Sequence, residues 1–427
     1  MSPAVRRMIL VAATAPVAGT LLAAPSAFAA EKATSKVAGA ATLDPAEQKI
    51  AANLDARVQD ARLGTTFGGV VIDSKSDKVV WGHDARTALM PASNTKLATA
   101  TAALTVLGPD HKFTTKVVYG DGTLTLVGGG DRTLTTDDLN ALAKTAVAGL
   151  KNAGLTSVKV RVDDSLFPEP ALANGWNTGY YPDEVTPVRA LVVDGHGVED
   201  TSIDAGQVFA KLLSDQGVTV AGDVTRGVAG QGDVPVAQHD SAELSTTVEH
   251  MLKVSDNNIA ETLLRMTALG AGRSATFDDG TAVVREVLNH RYGVSLDNFA
   301  IYDGSGLSRA NRIPARTLAD ILDLTTDPRY SGTLKYIKEG LPVAGEAGST
   351  LGPEWGRFDT ADSQCAVGKV MAKTGTLTGA IALSGFTKAD DGRWKVFSFV
   401  ENNSGAAPSD TKDALDGLAA TVNGCWA

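Results

Sequence analysis

Residues 90–99, MPASNTKLAT, set Ser93 three positions ahead of Lys96, where Pro91 and the alanine- and threonine-rich run behind it predict the start of a helix. Positions three apart share a helix face, so the Lys96 amine is aimed at the Ser93 hydroxyl. The helix N-terminus adds partial positive charge beside an oxygen that must turn anionic to act as a nucleophile. Lysine serves as a base only when its pKa falls toward neutrality, which takes burial or a neighbouring cation. The following run, LATATAALTVL, is almost uncharged and predicts a helix buried on most sides.

Spacing alone is weak evidence, because Ser409-Asp410-Thr411-Lys412 repeats it. There Pro408 precedes and DALDGLAATV follows, so Ser409 is expected to N-cap a surface helix with Asp410 in its first turn and to have no catalytic role. What sets Ser93 apart is its company. KVSDNNIAE carries Ser255-Asp256-Asn257 at a break between two predicted helices, and MAKTGTLTG carries Lys373-Thr374-Gly375-Thr376 on a predicted strand. Taken singly, a helix-capping loop and an exposed strand end explain these two. Ser-x-x-Lys, Ser-x-Asn and Lys-Thr-Gly in that order are the signature of penicillin-binding proteins and serine β-lactamases.

That chemistry is acyl transfer, with a role for each residue. Ser93 is the expected nucleophile and Lys96 its base. Ser255 relays a proton to the leaving group, Asn257 bonds the substrate amide, and the charge of Lys373 is expected to lower the pKa of Lys96. Thr374 and Thr376 offer hydroxyls to a substrate carboxylate. The backbone N–H groups of Ser93 and Thr376 form the oxyanion hole. Gly375 is expected to leave the strand edge open to the substrate backbone.

Further segments narrow the family. With GGGDRTLTTDDL at 128–139, VDDSLF at 162–167, DGSGLSR at 303–309 and LPVAGEAGSTLG at 341–352, the chain resembles the D-alanyl-D-alanine carboxypeptidases/endopeptidases of the penicillin-binding protein 4 type, a low-molecular-mass class C group, over nearly its whole mature length. The resemblance implies cleavage of D-Ala-D-Ala in peptidoglycan stem peptides through a Ser93 acyl-enzyme, which β-lactam antibiotics also form. No cofactor and no metal are expected. Gly128–Asp131 is expected to be a tight turn rather than a phosphate loop, since no Lys-Ser/Thr follows. Asp303–Arg309 is expected to be a turn at the cleft rim, with Arg309 a candidate for a stem-peptide carboxylate. In relatives the insertion between the first two motifs is divided into two further domains; YGDGTLTLVGGGD leaves room for less here.

A class A β-lactamase would carry Glu-x-x-x-Asn for deacylation, and no glutamate here has asparagine four residues on. A class C enzyme would carry tyrosine in place of Ser255. A non-catalytic protein that captures wall peptides or β-lactams is the other alternative. The histidines at 83, 111, 196, 239, 250 and 290 show no His-x-x-x-His spacing.

The fold class expected is α/β (α+β): a serine β-lactamase/DD-peptidase-like domain with a central antiparallel sheet covered by helices. FGGVVIDSKSDKVVWGHDA reads as a hairpin, and KVMAKTGTLTGAIALSGFTKADDGRWKVFSFVENN as three strands turned at Asp391-Gly392, so the two ends share a sheet. ELSTTVEHMLKV, NNIAETLLRMTAL and TAVVREVLNHRYG have helical periodicity. Expected boundaries are a catalytic domain at 46–111 and 239–427 and an inserted β/α module at 112–238.

The 427 residues carry a net charge of −10, with 43% hydrophobic and 21% charged residues, a globular composition whose acidity argues against nucleic acid as partner. Residues 1–29, with Arg6 and Arg7, an apolar stretch and Ala27-Phe28-Ala29, read as a secretory signal, followed by a flexible leader at 30–45. No transmembrane anchor is expected after cleavage, and the destination is the extracellular wall space or periplasm. Export makes Cys365 and Cys425 candidates for one disulfide, the alternative being two thiols.

Overall fold

The computed structural model describes residues 42–425, so the signal expected at 1–29 lies outside the described residues, as does most of the leader. The chain divides into two compact units, one of residues 110–172 and 177–243, the other holding the described residues up to Pro109, Ala173–Trp176 and Leu244 onward.

The second unit comes first along the described chain. Helix α1 (Pro45–Arg57) is nucleated by a capping box in which Asp44 accepts from the Glu47 amide while Glu47 accepts from that of Asp44. Strands β1 (Phe67–Asp73) and β2 (Lys78–His83) form the expected hairpin. A short 3₁₀ turn, Ala92–Asn94, then leads into helix α2 (Thr95–Leu107), which is buried on nearly every side.

The first unit follows. Strands β3 (Thr114–Gly120) and β4 (Thr123–Val127) are antiparallel; helix α3 (Thr136–Asn152) crosses over to β5 (Ser157–Asp163), parallel to β4. The glycine run before α3 is a turn in which Asp131 accepts from the Thr133 amide and hydroxyl. Helix α4 (Thr201–Asp215) packs on α3 and β5. Two short strands follow, β6 (Thr219–Val220) and β7 (Thr225–Arg226), each parallel to β5. Strand β8 (Val234–Asp240) has no counterpart in the sequence reading; it pairs with β3 at the sheet edge, its register shifting beside Pro235. Proline lacks the N–H a central strand needs, so it masks a strand signal and survives at an edge. The core is Leu139, Leu142, Val147, Leu150, Val160, Val162, Phe209 and Leu213.

The second unit resumes with helices α5 (Leu244–Val254), α6 (Asn257–Gly270) and α7 (Phe277–Glu286), then α8 (Ala315–Asp323) and α9 (Ser331–Glu339). Strands β9 (Val370–Leu377), β10 (Ala380–Lys388) and β11 (Trp394–Asn402) complete an antiparallel sheet in the order β2-β1-β11-β10-β9, so both chain ends share it as expected. Helix α10 (Pro408–Asn423) packs with α1 on one face, where Leu54, Leu415, Leu418 and Val422 meet Leu383, Phe397 and Phe399. Helix α8 packs on β1 and β11, with α2 behind it. Burial of β1 and β10 along nearly their whole length follows from helices on both faces.

Two expectations fail at α10. Ser409 is not its N-cap: Ala407 holds that position, and Ser409 sits exposed in the first turn against Asp410. Nor is α10 a surface helix, since its alanines and leucines are core; small residues between charges hid the apolar stripe. Cys365 and Cys425 are bonded, with Cα atoms 6.0 Å apart, tying the end of α10 to the segment before β9. Among the described residues no helix is long and apolar enough to cross a membrane.

Candidate active site

The three motifs converge within the second unit. Ser93 lies in the 3₁₀ turn ahead of α2, and Ala92 before it holds φ 47°, a left-handed backbone that L side chains seldom adopt. Lys96, one turn on, is fully buried; its Nζ lies 3.0 Å from Ser93 Oγ, 2.7 Å from Asn257 Oδ1 and 2.8 Å from the Ser305 carbonyl oxygen. Burial pulls its pKa down from the usual 10.5 to about 8, against the carboxylates of Asp256, Asp303 and Glu261, which favour the ammonium.

Ser255 and Asn257 occupy the corner between α5 and α6, as expected. Asp256 caps α6, accepting from the Ile259 amide, and Ser255 adopts φ 64°. Asp256 thereby anchors the corner while its neighbours point at the two lysines. Lys373, fully buried on β9, donates to Ser255 Oγ at 2.8 Å and to the Thr374 carbonyl at 2.9 Å. Its pKa lies well below the usual range, first through burial, then through the charges of Lys96 and Arg357. Burial is the first cause of the lowered pKa at both amines, and the repulsion between the two lysines adds to it at Lys373.

Gly375 has a reason beyond the expected one. A Cβ there would meet the Pro91 carbonyl oxygen at 2.8 Å and Asn94 Nδ2 at 2.9 Å, so only glycine lets edge strand β9 lie against the Ser93 turn. Strand alternation turns Thr374 and Thr376 to the opposite side from Lys373 and Gly375. Thr374 is buried and donates to Thr350 Oγ1 at 2.8 Å; Thr376 is exposed. Arg309 is exposed and donates to the Thr378 carbonyl at 2.9 Å, beside the β9–β10 turn.

The segment DGSGLS is not a turn at the cleft rim. Asp303, Ser305 and Ser308 are completely buried, and of the motif only Arg309 emerges. Its glycines and polar residues look like a surface turn, but their polar atoms are satisfied internally: Asp303 accepts from Trp176 Nε1 at 2.8 Å, the Ser308 amide at 2.6 Å, the Gly306 amide at 3.1 Å and Asn311 Nδ2 at 2.7 Å. A Cβ on Gly306, whose φ is +91°, would fall 1.9 Å from the Ala92 carbonyl oxygen, which puts this loop directly beneath the nucleophile turn. Ser305, Asp303, Glu261 and Trp176 are the contributors that sequence reading missed; the only signal was an acidic residue with glycines in one motif.

Such an arrangement, a hydroxyl next to a buried amine of lowered pKa under an edge strand, suits nucleophilic acyl transfer. The comparisons agree. The sequence model of the D-Ala-D-Ala carboxypeptidase 3 (S13) family matches residues 50–199 and 178–422. The D-alanyl-D-alanine carboxypeptidase of Actinomadura sp. (strain R39) is 30% identical over 461 residues, covering 85% of this chain and 83% of the relative. Carboxypeptidase DacB of Mycolicibacterium smegmatis is 30% identical over 405 residues, covering 89% and 85%. In fold, the crystal structure of penicillin binding protein 4 from Haemophilus influenzae superposes with a TM-score of 0.73 at 23% identity, over 86% of this chain and 97% of that one. From the mixed α/β architecture, the converged motifs and these matches, the chain belongs to the D-Ala-D-Ala carboxypeptidase 3 (S13) family.

Proposed function

We propose that the protein is a serine-type D-Ala-D-Ala carboxypeptidase/endopeptidase acting on peptidoglycan stem peptides, with Ser93 as the acylated residue, within a catalytic domain of residues 46–111 and 239–427 that carries an inserted module at 112–238. The observation that carries this reading is the threefold contact of Lys96 with Ser93, Asn257 and Ser305. A neutral amine has two N–H bonds and one lone pair. With Asn257 Oδ1 and the Ser305 carbonyl accepting the two N–H bonds, the lone pair is left facing the Ser93 hydroxyl.

Lys96 takes the Ser93 proton as Oγ attacks the carbonyl carbon of the penultimate D-alanine, and the carbonyl oxygen turns anionic against the amides of Ser93 and Thr376. The proton passes to the departing D-alanine nitrogen through the Ser255 hydroxyl, which Lys373 orients. Asn257 aligns the substrate amide. Thr376 takes the substrate carboxylate, Thr374 holds the strand through Thr350, and Arg309 meets a carboxylate of the stem peptide. Water, activated by Lys96, then hydrolyses the Ser93 ester. A β-lactam acylates the same hydroxyl with no leaving group that departs. Export through the signal at 1–29 would bring the enzyme to its substrate outside the membrane.

The test is incubation with a diacylated D-Ala-D-Ala tripeptide and, separately, with fluorescent penicillin. D-alanine release and an adduct mapped to Ser93, both lost in Ser93→Ala, are expected. Rapid release of hydrolysed penicillin without D-alanine release would make the protein a β-lactamase, and binding of peptide without turnover would make it a capture protein.

A further inference from the structure

Lys96 is aimed by a backbone carbonyl, and what holds that carbonyl is a carboxylate the motifs do not contain. Glu261 lies one turn beyond Asn257 on α6 and is completely buried. Its Oε1 accepts from the Ser305 amide at 2.7 Å and the Gly304 amide at 3.1 Å, and Oε2 lies 3.2 Å from the latter. From α2, Thr99 Oγ1 donates to the Gly304 carbonyl at 2.7 Å. The next peptide is held from its far end, because the Gly306 amide donates to Asp303 Oδ1 at 3.1 Å. The Ser305 carbonyl, 2.8 Å from Lys96 Nζ, therefore belongs to a peptide fixed on both sides by acids.

Burying a carboxylate is costly, more so beside a second one. Burial and the charge of Asp303 push Glu261 up to about 7. A loop that only needed closing could take its hydrogen bonds from a neutral amide. Here the acidic pair faces the one lysine that must alternate between amine and ammonium.

We propose that Glu261 is a positioning residue for Lys96: by fixing the Gly304 and Ser305 amides it points the Ser305 carbonyl at one N–H of the amine, so that, with Asn257 holding the other, the lone pair stays on Ser93. This rests on the reading of Ser93 as nucleophile and Lys96 as its base. The charged groups facing Glu261 are Arg265 on its own helix, Asp303 on the loop and Lys96 on α2; those facing Lys96 are Asp256, Asp303, Glu261 and Lys373.

The experiment measures the acylation rate by fluorescent penicillin, and kcat and KM on a D-Ala-D-Ala tripeptide, from about pH 6 to 10, for the full chain, Glu261→Gln and Glu261→Ala, with thermal melts alongside. Glutamine keeps an acceptor for the amides but loses the charge. It is expected to fold, to lower kcat roughly tenfold with KM little changed, and to move the acid limb of the profile to lower pH, since a carboxylate favouring the ammonium is gone; alanine is expected to cost on the order of 100-fold in kcat. A Gln variant with wild-type rates and pH profile overturns the proposal, as does a loss confined to KM. If Glu261→Gln does not fold, Thr99→Val loosens the same carbonyl segment from α2, and an unchanged kcat there overturns it equally. A wild-type chain that forms no adduct on Ser93 fails the functional reading itself, whereas a wild-type adduct with an indifferent Glu261→Gln fails this inference alone.

Discussion

Titrating Lys96 is the sharpest test of the base assignment. Its pKa is brought from 10.5 to about 8 chiefly by burial. At pH 7 that leaves roughly one molecule in ten with a free amine, against roughly one in 3,000 for an ordinary lysine, a gain of about 300-fold in competent enzyme. The second-order acylation rate with benzylpenicillin reports the free enzyme, so it should fall about tenfold per pH unit below roughly 8 and level off above. Stopped-flow quenching with a fluorescent penicillin, or adduct counting by mass spectrometry at timed intervals, gives the profile. The same titration has a sign in stability. Because the folded pKa lies below the unfolded one, the unfolded chain binds more protons between about 8 and 10.5, so stability rises with pH across that window; the penalty, on the order of 3 kcal/mol, is fully present below it. An acylation rate flat from about pH 6 to 9, or one that rises only near 10, would refute the argument that a buried neutral lysine deprotonates Ser93.

Gly375→Ala should lower acylation about 10- to 100-fold with only a small fall in melting temperature, because the new methyl would press on the Pro91 carbonyl oxygen 2.8 Å away and lift β9 from the nucleophile turn; unchanged kinetics would show the strand to be freely adjustable. Replacing Cys365 and Cys425 together by serine reopens a loop of 60 residues and should cost up to about 4 kcal/mol of stability, read by denaturant melts with and without reductant, at little cost in acylation. Arg309→Ala should leave turnover of a short neutral peptide intact and raise KM for a stem peptide bearing a free side-chain carboxylate; equal turnover of both would remove Arg309 from recognition.

Much of the centre was legible because its residues act through side chains in short, ordered patterns. Ser93 and Lys96 fall at a predicted helix start, Ser255 and Asn257 at a predicted break, and Lys373 on a predicted strand, and all stand where those elements imply. Alternation in β1, β2 and β9–β11 was strong enough to join the chain ends in one sheet. What escaped acts through the backbone or through burial. The Ser305 contribution is a carbonyl, which any residue type supplies, and Glu261 looks like one more acid on an amphipathic helix. Strand β8 was hidden by Pro235, and the buried face of α10 by its alanines. That burial is the first cause of the lowered Lys96 pKa is a matter of depth within the unit rather than of sequence pattern.

The short return of Ala173–Trp176 means that, among the described residues, the polypeptide crosses between the two units four times, at 109/110, 172/173, 176/177 and 243/244. Trp176 comes back to give its indole N–H to Asp303, the acid anchoring the loop under Lys96. Cutting the chain at the outermost crossings would discard that indole along with the first unit and leave the anchoring acid short of a donor. A deletion of the first unit that keeps Asp303 supplied with this donor must therefore spare residues 173–176.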